Sequence, residues 1–422
     1  MDILPLPSCP NIENYKKRAK DLVKVAKTRK PGTIQAWGAE WIGTLTDLTG
    51  SSDNSFVNAS FERAISDIGK GLCERMELDG DSEIGLLLGA QFLIARSHGF
   101  ENWAVFAKHI EGVTGEGGNE FESAVDAVIG GDLPTLKSLL RQFPSLIKTH
   151  SSRIHRATLL HYVAANGVED FRQITPPNAV EIAICLLDAG AEVGASANTY
   201  GGGKNQTAMN LLVSSAHPAK AGLMVPLVEA LLDYGATING LEGNGSPLEV
   251  ALSFGYLDAA ETLVARGAKV NNIATAASLD LMDLVERFFH NVGKLESEQA
   301  LVCACKFGKT EIVKYLLRNE VGVGVVDWNN MTGLHWGAAN GHIDVVKLLL
   351  DWRAPLEVRN QWGGSVLSST VFFACNHPVR AADYETIIDL LLDAGAEISM
   401  VKYPTGKVSI DVVLKKYREL AK

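Results

Sequence analysis

TGLHWGAANGHIDVVKLLL (332–350) predicts two short helices joined by a turn. Thr332 is placed to cap the first helix, and His335 is placed to form a hydrogen bond between adjacent units. The second helix ends in leucines, which would pack into a neighbouring unit. The stretch therefore predicts a helix pair whose apolar face only another such pair can cover.

The end of this unit recurs along the chain as leucine-like residues, a polar residue, Gly-Ala and a β-branched residue. The copies are LLDAGAEV (186–193), LLDYGATI (231–238), LVARGAKV (263–270), LLLDAGAEI (390–398) and, more weakly, LLLDWRAPLEV (348–358). The opening half recurs as TLLHYVAANG (158–167). Each glycine supplies the positive φ that ends a helix. The predicted helix ends step along the chain around a period near 33 residues.

Three units carry an insertion between their two helices, which explains the long steps in the repeat. The inserted segments are VEDFRQITPPN, HPAKAG and HPVRAAD. In two of the units, an aromatic-glycine run precedes a His-Pro pair: Tyr200-Gly-Gly-Gly before His217, and Trp362-Gly-Gly-Ser before His377. These two units thus share an unusual decoration.

The repeated phrase resembles the ankyrin repeat, and residues 332–350 match its consensus closely. LPxxPNIENYKKRAKDL and FLIARSHGFENWAVFAKHIE resemble a group of bacterial ankyrin-repeat proteins in which a helical leader precedes repeats with LLHYVAANG, YGGG and SSxHPxxAG. The resemblance covers essentially the whole chain. It implies an all-α ankyrin-repeat solenoid of about eight helix pairs with short β-fingers, preceded by a small helical domain. It implies little about function, because most members have no assigned chemistry.

We predict a helical domain of residues 1–112 and a repeat domain of residues 119–422, joined by TGEGGNE (114–120). Residues 120–142 are predicted to form the first helix pair. Residues 408–420 are predicted to form a closing helix with a polar outer face, which a solenoid needs at its end.

The helical domain is predicted from the period of its apolar residues, with one helix at 13–30 and two helices at 82–113 that are broken near Gly99. The first helix is strongly basic. A solvated face explains this charge, and an anionic partner, including the chain's own acidic repeats, is the alternative. The basic residues are Lys16, Lys17, Arg18, Lys20, Lys24, Lys27, Arg29 and Lys30.

The composition argues against several classes of protein. Hydrophobic residues make up 46% of the 422 residues, which indicates a folded chain rather than a disordered one. The net charge of -10 disfavours nucleic acid as a partner. No signal peptide or membrane-spanning run is found, so neither secretion nor a membrane is predicted. Six scattered cysteines indicate reduced thiols and a cytoplasmic protein: Cys9, Cys73, Cys185, Cys303, Cys305 and Cys375.

Aromatic residues on the predicted fingers are candidate binding residues. Tyr200, Trp328 and Trp362 each lie a few residues before the first helix of a unit. Exposed aromatic residues in such loops are typical binding anchors, but they can also fasten one finger to the next, and the sequence leaves both interpretations open. Trp336 lies on a first helix and could line a groove, whereas Trp352 is more typical of packing.

The inserted loops supply further candidates, His217, His377 and Arg380. The two histidines each precede a proline, and the sequence leaves two interpretations open: the His-Pro pair ends a helix, or the histidines face a ligand at one lip of the groove. Gly202 belongs to a glycine run that could present backbone N–H groups to an anion or simply form a flexible tip. The run does not fit a phosphate-binding loop, because Asn198 and Asn205 occupy positions that require Gly and Ser or Thr.

No catalytic signature, metal-spaced Cys/His cluster or cofactor motif is found, so we predict no catalytic residue, no metal and no cofactor. The first hypothesis is a binding protein that recognises a protein partner or ligand on a concave repeat surface. The second is a small-molecule-binding protein or unconventional enzyme, with a pocket formed by the inserted loops around His217 and His377. A closed pocket near His217 would favour the second hypothesis, and an open surface with exposed aromatic residues would favour the first.

Overall fold

The computed structural model describes residues 3–7, 9–28, 32–49, 82–114, 120–200, 203–241, 245–379 and 382–420. The chain divides into two units, residues 1–250 and residues 251–422, which we treat separately. Helices provide nearly all regular structure in the described residues, because the two strands are only two residues long.

Four described helices near the N-terminus of the first unit enclose an apolar core. They are α1 (Ile12–Lys27), α2 (Thr33–Thr49), α3 (Glu83–Ser97) and α4 (Trp103–Thr114). The Asn11 side chain accepts a hydrogen bond from the Glu13 N–H at 2.8 Å and so caps α1. The buried ring of Tyr15 packs edge-on against Phe106 of α4. Gly99 lies between α3 and α4 with a φ of 83°, which confirms the predicted break.

Three helix pairs follow in the first unit. They comprise α5 (Glu120–Gly130) and α6 (Leu133–Gln142), α7 (Leu159–Val163) and α8 (Ala179–Asp188), and α9 (Ala208–Leu212) and α11 (Met224–Asp233), with a short α10 (Ala216–Lys220) inside the third pair. The first helices of successive pairs pack side by side, and so do the second helices. Between α8 and α9, β1 (Ser196–Ala197) and β2 (Gln206–Thr207) form an antiparallel hairpin with Ser196 opposite Thr207.

The second unit continues the same arrangement. Its helices are α12 (Pro247–Phe254, which contains the division between the units), α13 (Leu257–Ala265), α14 (Ile273–Ser278), α15 (Met282–Phe289), α16 (Lys294–Lys306), α17 (Thr310–Arg318), α18 (Gly333–Ala339), α19 (Ile343–Asp351), α20 (Val366–Asn376), α21 (Tyr384–Asp393) and the closing helix α22 (Val408–Leu420). Helices α14, α16, α18 and α20 form one row, and α17, α19 and α21 form the other.

Residues 120–393 contain eight helix pairs where the structure describes them, as the sequence predicted. The fold is an all-α repeat solenoid, because each pair buries its apolar side against the next. The glycines at the repeated helix ends have positive φ, from 86° to 100° at Gly190, Gly235, Gly267 and Gly395. Glu320 and Arg353 take the same backbone conformation at 65° and 56° without being glycine.

The predicted boundary between the helical domain and the repeats stays a prediction, because residues 115–119 lie outside the described residues. Within the described part of the chain, no helix is both long enough and apolar enough to cross a bilayer. The described residues likewise contain no group of three potential metal ligands.

Candidate functional site

Two fingers of the second unit end in turns that share one hydrogen-bond pattern. In the first turn, the Asp327 N–H donates to the Met331 carbonyl at 3.0 Å. The Asp327 Oδ1 accepts from the backbone N–H groups of Asn329 and Met331 at 2.8 and 2.9 Å. Asn330 has a φ of 59°, which an asparagine tolerates better than most residues. The aspartate side chain thus fixes the turn from inside.

The second turn repeats this pattern one period later, with Asn360 in the place of Asp327. The Asn360 N–H donates to the Gly364 carbonyl at 2.9 Å. The Asn360 Oδ1 accepts from the N–H groups of Trp362 and Gly364 at 3.0 and 2.9 Å. Gly363 has a φ of 81°, like Asn330 in the first turn. The two turns are therefore equivalent positions of successive repeats.

The two fingertips are also bonded to each other. The Gln361 N–H donates to the Asn329 carbonyl at 2.9 Å, and the Asn330 Nδ2 donates to the Arg359 carbonyl at 2.5 Å. In each bond, a group of one finger donates to a backbone carbonyl of the other finger. The fingertips are consequently held in a fixed mutual arrangement.

Trp328 and Trp362 stand on these fixed turns, at the second and third positions respectively. Their exposed fractions are 87% and 70%, which are high for indole side chains. We call the two tryptophans with the turns that carry them, residues 327–331 and 360–364, the fingertip surface. Rigid backbone under exposed aromatic rings is the arrangement expected of a binding surface, because little freedom is lost on binding.

Trp336 has a different environment from the other two tryptophans. Its half-buried indole Nε1–H donates to Asp327 Oδ2 at 2.8 Å, and the Lys306 Nζ lies 5.1 Å from the ring centroid. The same Nζ donates to the carbonyls of Leu252 and Ser253 at 3.1 and 2.7 Å. Trp336 therefore braces the finger from its helix, and it offers less free surface than the sequence led us to expect.

The motif histidines have structural roles. Thr158 donates its backbone N–H to the His161 Nδ1 at 3.2 Å, and the His161 Nε2–H donates to the Gln206 carbonyl in the next repeat at 3.2 Å. Although that second bond raises the pKa of His161, burial lowers it to about 4. His335 forms the same capping contact with Thr332. The bond to the next repeat therefore forms at His161. At His335, for which the sequence predicted such a bond, the buried Nε2 has no hydrogen-bond partner among the described residues.

Tyr200 is placed unlike the two exposed tryptophans. Its ring packs edge-on against His155 with 5.2 Å between centroids, and its hydroxyl oxygen is shielded from solvent. The Asn198 N–H donates to the His155 carbonyl at 2.7 Å and fixes the base of the finger. Of the two interpretations that the sequence left open, this geometry supports fastening within the protein.

A buried ionic network lies next to Tyr200, and the sequence reasoning missed it. Arg153 Nε lies 2.8 Å from Glu169 Oε1, and Arg153 Nη1 lies 2.9 Å from Glu122 Oε1. Arg172 Nη1 lies 2.6 Å from the other oxygen of Glu122. Glu169 and Arg172 belong to the first inserted segment, whereas Glu122 belongs to α5. The insertion is therefore clamped onto the preceding helix pair by buried charges.

The network keeps its carboxylates ionised despite their burial. Burial raises the pKa of Glu122, but Arg153 and Arg172 more than offset this effect and lower it to about 2. Glu169 behaves in the same way, and its pKa lies well below the usual range because of Arg153 and His155. Such depressed values occur at structural ion-pair networks as well as at catalytic sites, so they do not identify an active site.

The remaining candidates from the inserted loops are dispersed. His377 is exposed and ends α20, as the helix-termination interpretation predicted. His217 is also exposed, but the prediction that it begins a loop is wrong, because it lies inside α10. Pro218 is tolerated there because the first turn of a helix does not use its N–H groups. The two histidines belong to different units. Gly202 and Arg380 lie outside the described residues.

A cavity of about 10 Å³ lies among α7, α8, α9 and α11, and none of the candidate residues lines it. A volume of this size holds about one water molecule and is too small for an organic ligand. Its lining consists of Leu160, Val163, Ala164, Ala183, Ala208, Leu212, Leu227 and Leu231.

The family model of ankyrin repeats matches residues 273–360 in three copies, and these residues include the turn at Asp327 and the start of the turn at Asn360. This segment is therefore similar to ankyrin repeats. The turn at Asp327 and the helix that follows it, α18, lie within the matched residues, whereas α20 lies beyond them.

Curated relatives share parts of their length with this chain. It is 30% identical over 130 residues to an L-asparaginase of Dirofilaria immitis, which covers 29% of the chain and 20% of the relative. It is 27% identical over 231 residues to the probable E3 ubiquitin-protein ligase XBOS33 of Oryza sativa subsp. japonica, which covers 46% and 40%. The chain therefore spans less than half of the length of each of these relatives.

Among solved structures, the chain is similar to the human ASB11 ankyrin repeat domain. The identity is 22% and the TM-score is 0.34, with 65% of this chain and 98% of that chain covered.

Proposed function

We propose that this protein is a binding module that recognises a protein partner through the fingertip surface of its ankyrin repeats. The supporting observation is the exposure of Trp328 and Trp362 on adjacent, mutually bonded turns. Large aromatic side chains that can be buried by a partner dominate the energetics of protein interfaces. The turns carry the rings without support from a partner, so the surface is already formed in the free protein.

A protein partner fits this surface better than a small molecule does. Ligand sites for small molecules are concave and enclose most of the ligand, whereas these two indoles project from fingertips. The alternative, a pocket formed by the inserted loops around His217 and His377, has no comparable support, because both side chains are exposed and neither lines the described cavity. Ankyrin repeats in general serve as interaction modules, which agrees with the first hypothesis.

Several finer attributes also remain proposals. We place the protein in a reducing compartment such as the cytoplasm, which is supported by free thiols at Cys9, Cys185, Cys303, Cys305 and Cys375. Its partner is proposed to be neither nucleic acid nor membrane. The resemblance of the N-terminal helical segment to the leaders of bacterial ankyrin-repeat proteins stays an interpretation of the sequence.

The test compares three immobilised proteins as baits in quantitative proteomics: the wild type, Trp328→Ala/Trp362→Ala, and Val408→Ala/Val412→Ala. The valines are 79% and 65% exposed on α22, so this control also truncates exposed apolar side chains. We expect proteins that bind the wild type and the valine control to be depleted about tenfold or more by the tryptophan variant, as for interface hot spots. Equal recovery on all three baits would contradict the proposal. Native mass spectrometry of the wild type then detects any co-purified small molecule, which would favour the alternative.

A further inference from the structure

Residues 3–7, which we call the N-terminal strap, lie along the turn that joins α3 to α4. The Leu4 N–H donates to the Ser97 carbonyl at 2.7 Å, and the His98 Nδ1–H donates to the Leu4 carbonyl at 2.9 Å. Ile3 and Leu4 are both buried. The strap is therefore held to the turn through both the backbone N–H and the backbone carbonyl of Leu4.

The Tyr200 finger, residues 196–200 and 203–207, reaches the same turn from the repeat side. A Cβ added to Gly99 would lie 2.5 Å from Tyr200 Oη, 3.3 Å from Tyr200 Cζ and 3.3 Å from Ile3 Cγ2. The strap and the finger thus meet over a residue that has no side chain. Gly99 also has a φ of 83°, so both its conformation and the closeness of its neighbours favour glycine.

Packing rather than hydrogen bonding holds the Tyr200 ring in place. Its hydroxyl is buried and has no hydrogen-bond partner among the described residues. The ring lies against His155, and the neighbouring segment is attached to the turn because the Ile154 N–H donates to the Gly99 carbonyl at 2.8 Å. The burial of the hydroxyl raises the pKa of Tyr200 far above its usual value, which agrees with a dry environment.

We propose that the N-terminal strap and the Tyr200 finger form an internal latch over Gly99, in which each holds the other closed. The chain's own strap packs at the Tyr200 finger, whereas the tryptophans on the fingers at Trp328 and Trp362 remain exposed. Displacement of the strap would free Tyr200 and expose its aromatic ring on this finger. This inference does not depend on the proposed function, because it concerns only contacts within the first unit.

The latch predicts reciprocal coupling, because a contact that stabilises two segments links the opening of each one to the other. The test is amide hydrogen exchange of Ile3→Ala and of Tyr200→Ala. We expect Ile3→Ala to speed exchange of the Asn198 N–H in the finger about tenfold or more, and Tyr200→Ala to do the same for the Leu4 N–H in the strap. Exchange within α17 of the second unit is the internal control and should not change.

Tyr200→Phe and Tyr200→Leu complete the design. Tyr200→Phe keeps the ring and is expected to exchange like the wild type at Leu4, because the hydroxyl makes no bond that the phenylalanine would lose. Tyr200→Leu is a milder truncation that serves if Tyr200→Ala does not fold, and it should accelerate Leu4 exchange. Unchanged exchange at Leu4 in Tyr200→Leu, or at Asn198 in Ile3→Ala, would overturn the latch. Acceleration as large in Tyr200→Phe as in Tyr200→Leu would also overturn it, because ring packing would then not be the coupling contact.

Discussion

Arg153 Nε lies 2.8 Å from Glu169 Oε1, and the two side chains are only 3% and 0% exposed. Arg153 comes from the segment before α7 and Glu169 from the insertion after it. The pair therefore ties an insertion with little regular structure to the segment that precedes α7.

Glu169→Gln is expected to destabilise the protein by about 3–5 kcal/mol, because it leaves the buried Arg153 without its full counter-charge. Glu13→Gln is the control, since it breaks an exposed ion pair with Lys16 of the kind that contributes about 0–1 kcal/mol. Urea denaturation of both variants measures the difference. Similar midpoints for the two variants would contradict a structural role for the buried network.

Acid should weaken the same network over a defined pH range. The folded pKa of Glu122 is about 2, below its ordinary value of 4.5, so the stabilisation is complete above about pH 4.5 and is lost as the pH falls towards 2. Glu122→Gln removes this titration and should flatten the fall in unfolding free energy between pH 4.5 and 2.5. Parallel curves for the variant and the wild type would show that Glu122 is not responsible.

His161 should contribute a separate pH dependence at higher pH. Its folded pKa is about 4 against an ordinary 6.5, so only the unfolded chain takes up the proton between these values. Stability therefore falls as the pH is lowered from 6.5 to 4, by about 1.4 kcal/mol per pH unit for one proton. His161→Asn removes this titrating group and should reduce the slope of unfolding free energy against pH by about 1.4 kcal/mol per pH unit. Asparagine is the matched substitution because Asn210 stands at the same distance after the capping Thr207. An unaltered slope would be evidence against a neutral, buried His161.

The turn at Asp327 offers a comparison that the chain itself supplies. Asp327→Ala removes the acceptor of two backbone N–H groups and of the Trp336 indole, and should cost about 2–4 kcal/mol. Asp327→Asn should cost less, about 1–2 kcal/mol, because its Oδ1 can still accept the two backbone bonds, as that of Asn360 does, whereas its amide nitrogen cannot accept the Trp336 indole N–H. Chemical denaturation measures both. Equal losses would mean that the turn does not depend on the side-chain acceptor.

The three tryptophans of these repeats should differ in their effect on stability. Trp328→Ala and Trp362→Ala are expected to change the unfolding free energy by no more than about 0.5 kcal/mol, because the rings are exposed. Trp336→Ala should cost about 1–3 kcal/mol through the lost bond to Asp327 and the lost contact with Lys306. Thermal denaturation ranks the variants, and a large loss in Trp328→Ala would show that the indole is needed for the fold.

The repeats could be predicted from the sequence because a local residue pattern marks the end of the second helix in most units. The Gly-Ala phrases place the turns, and the structure has positive φ at Gly190, Gly235, Gly267 and Gly395. Glu320 and Arg353 end helices with the same positive φ although neither is glycine, and the period of about 33 residues leads to both positions. The exposure of Trp328 and Trp362 agrees with one of the two interpretations that the sequence left open for them.

The buried network could not be predicted, because its members are separated by tens of residues and only the fold brings them together. Glu122, Arg153 and Glu169 carry no local pattern that distinguishes them from surface charges. The comparison of Tyr200 with Trp362 was also off by one position. The Thr199 N–H bonds to the Gly203 carbonyl as that of Asn360 bonds to Gly364, which aligns Tyr200 with Gln361. Such a shift depends on backbone bonds that residue types alone do not reveal.

The equivalence of the turns at Asp327 and Asn360 has a consequence for how such an array can change length. Excision of residues 328–360 would join Asp327 directly to Gln361, and the resulting turn would still have its acidic first residue, its tryptophan and its glycine. The excision would remove one helix pair, α18 and α19, and the new turn would resemble the turns that the protein already has. Shortening by whole modules at this point therefore needs no new sequence.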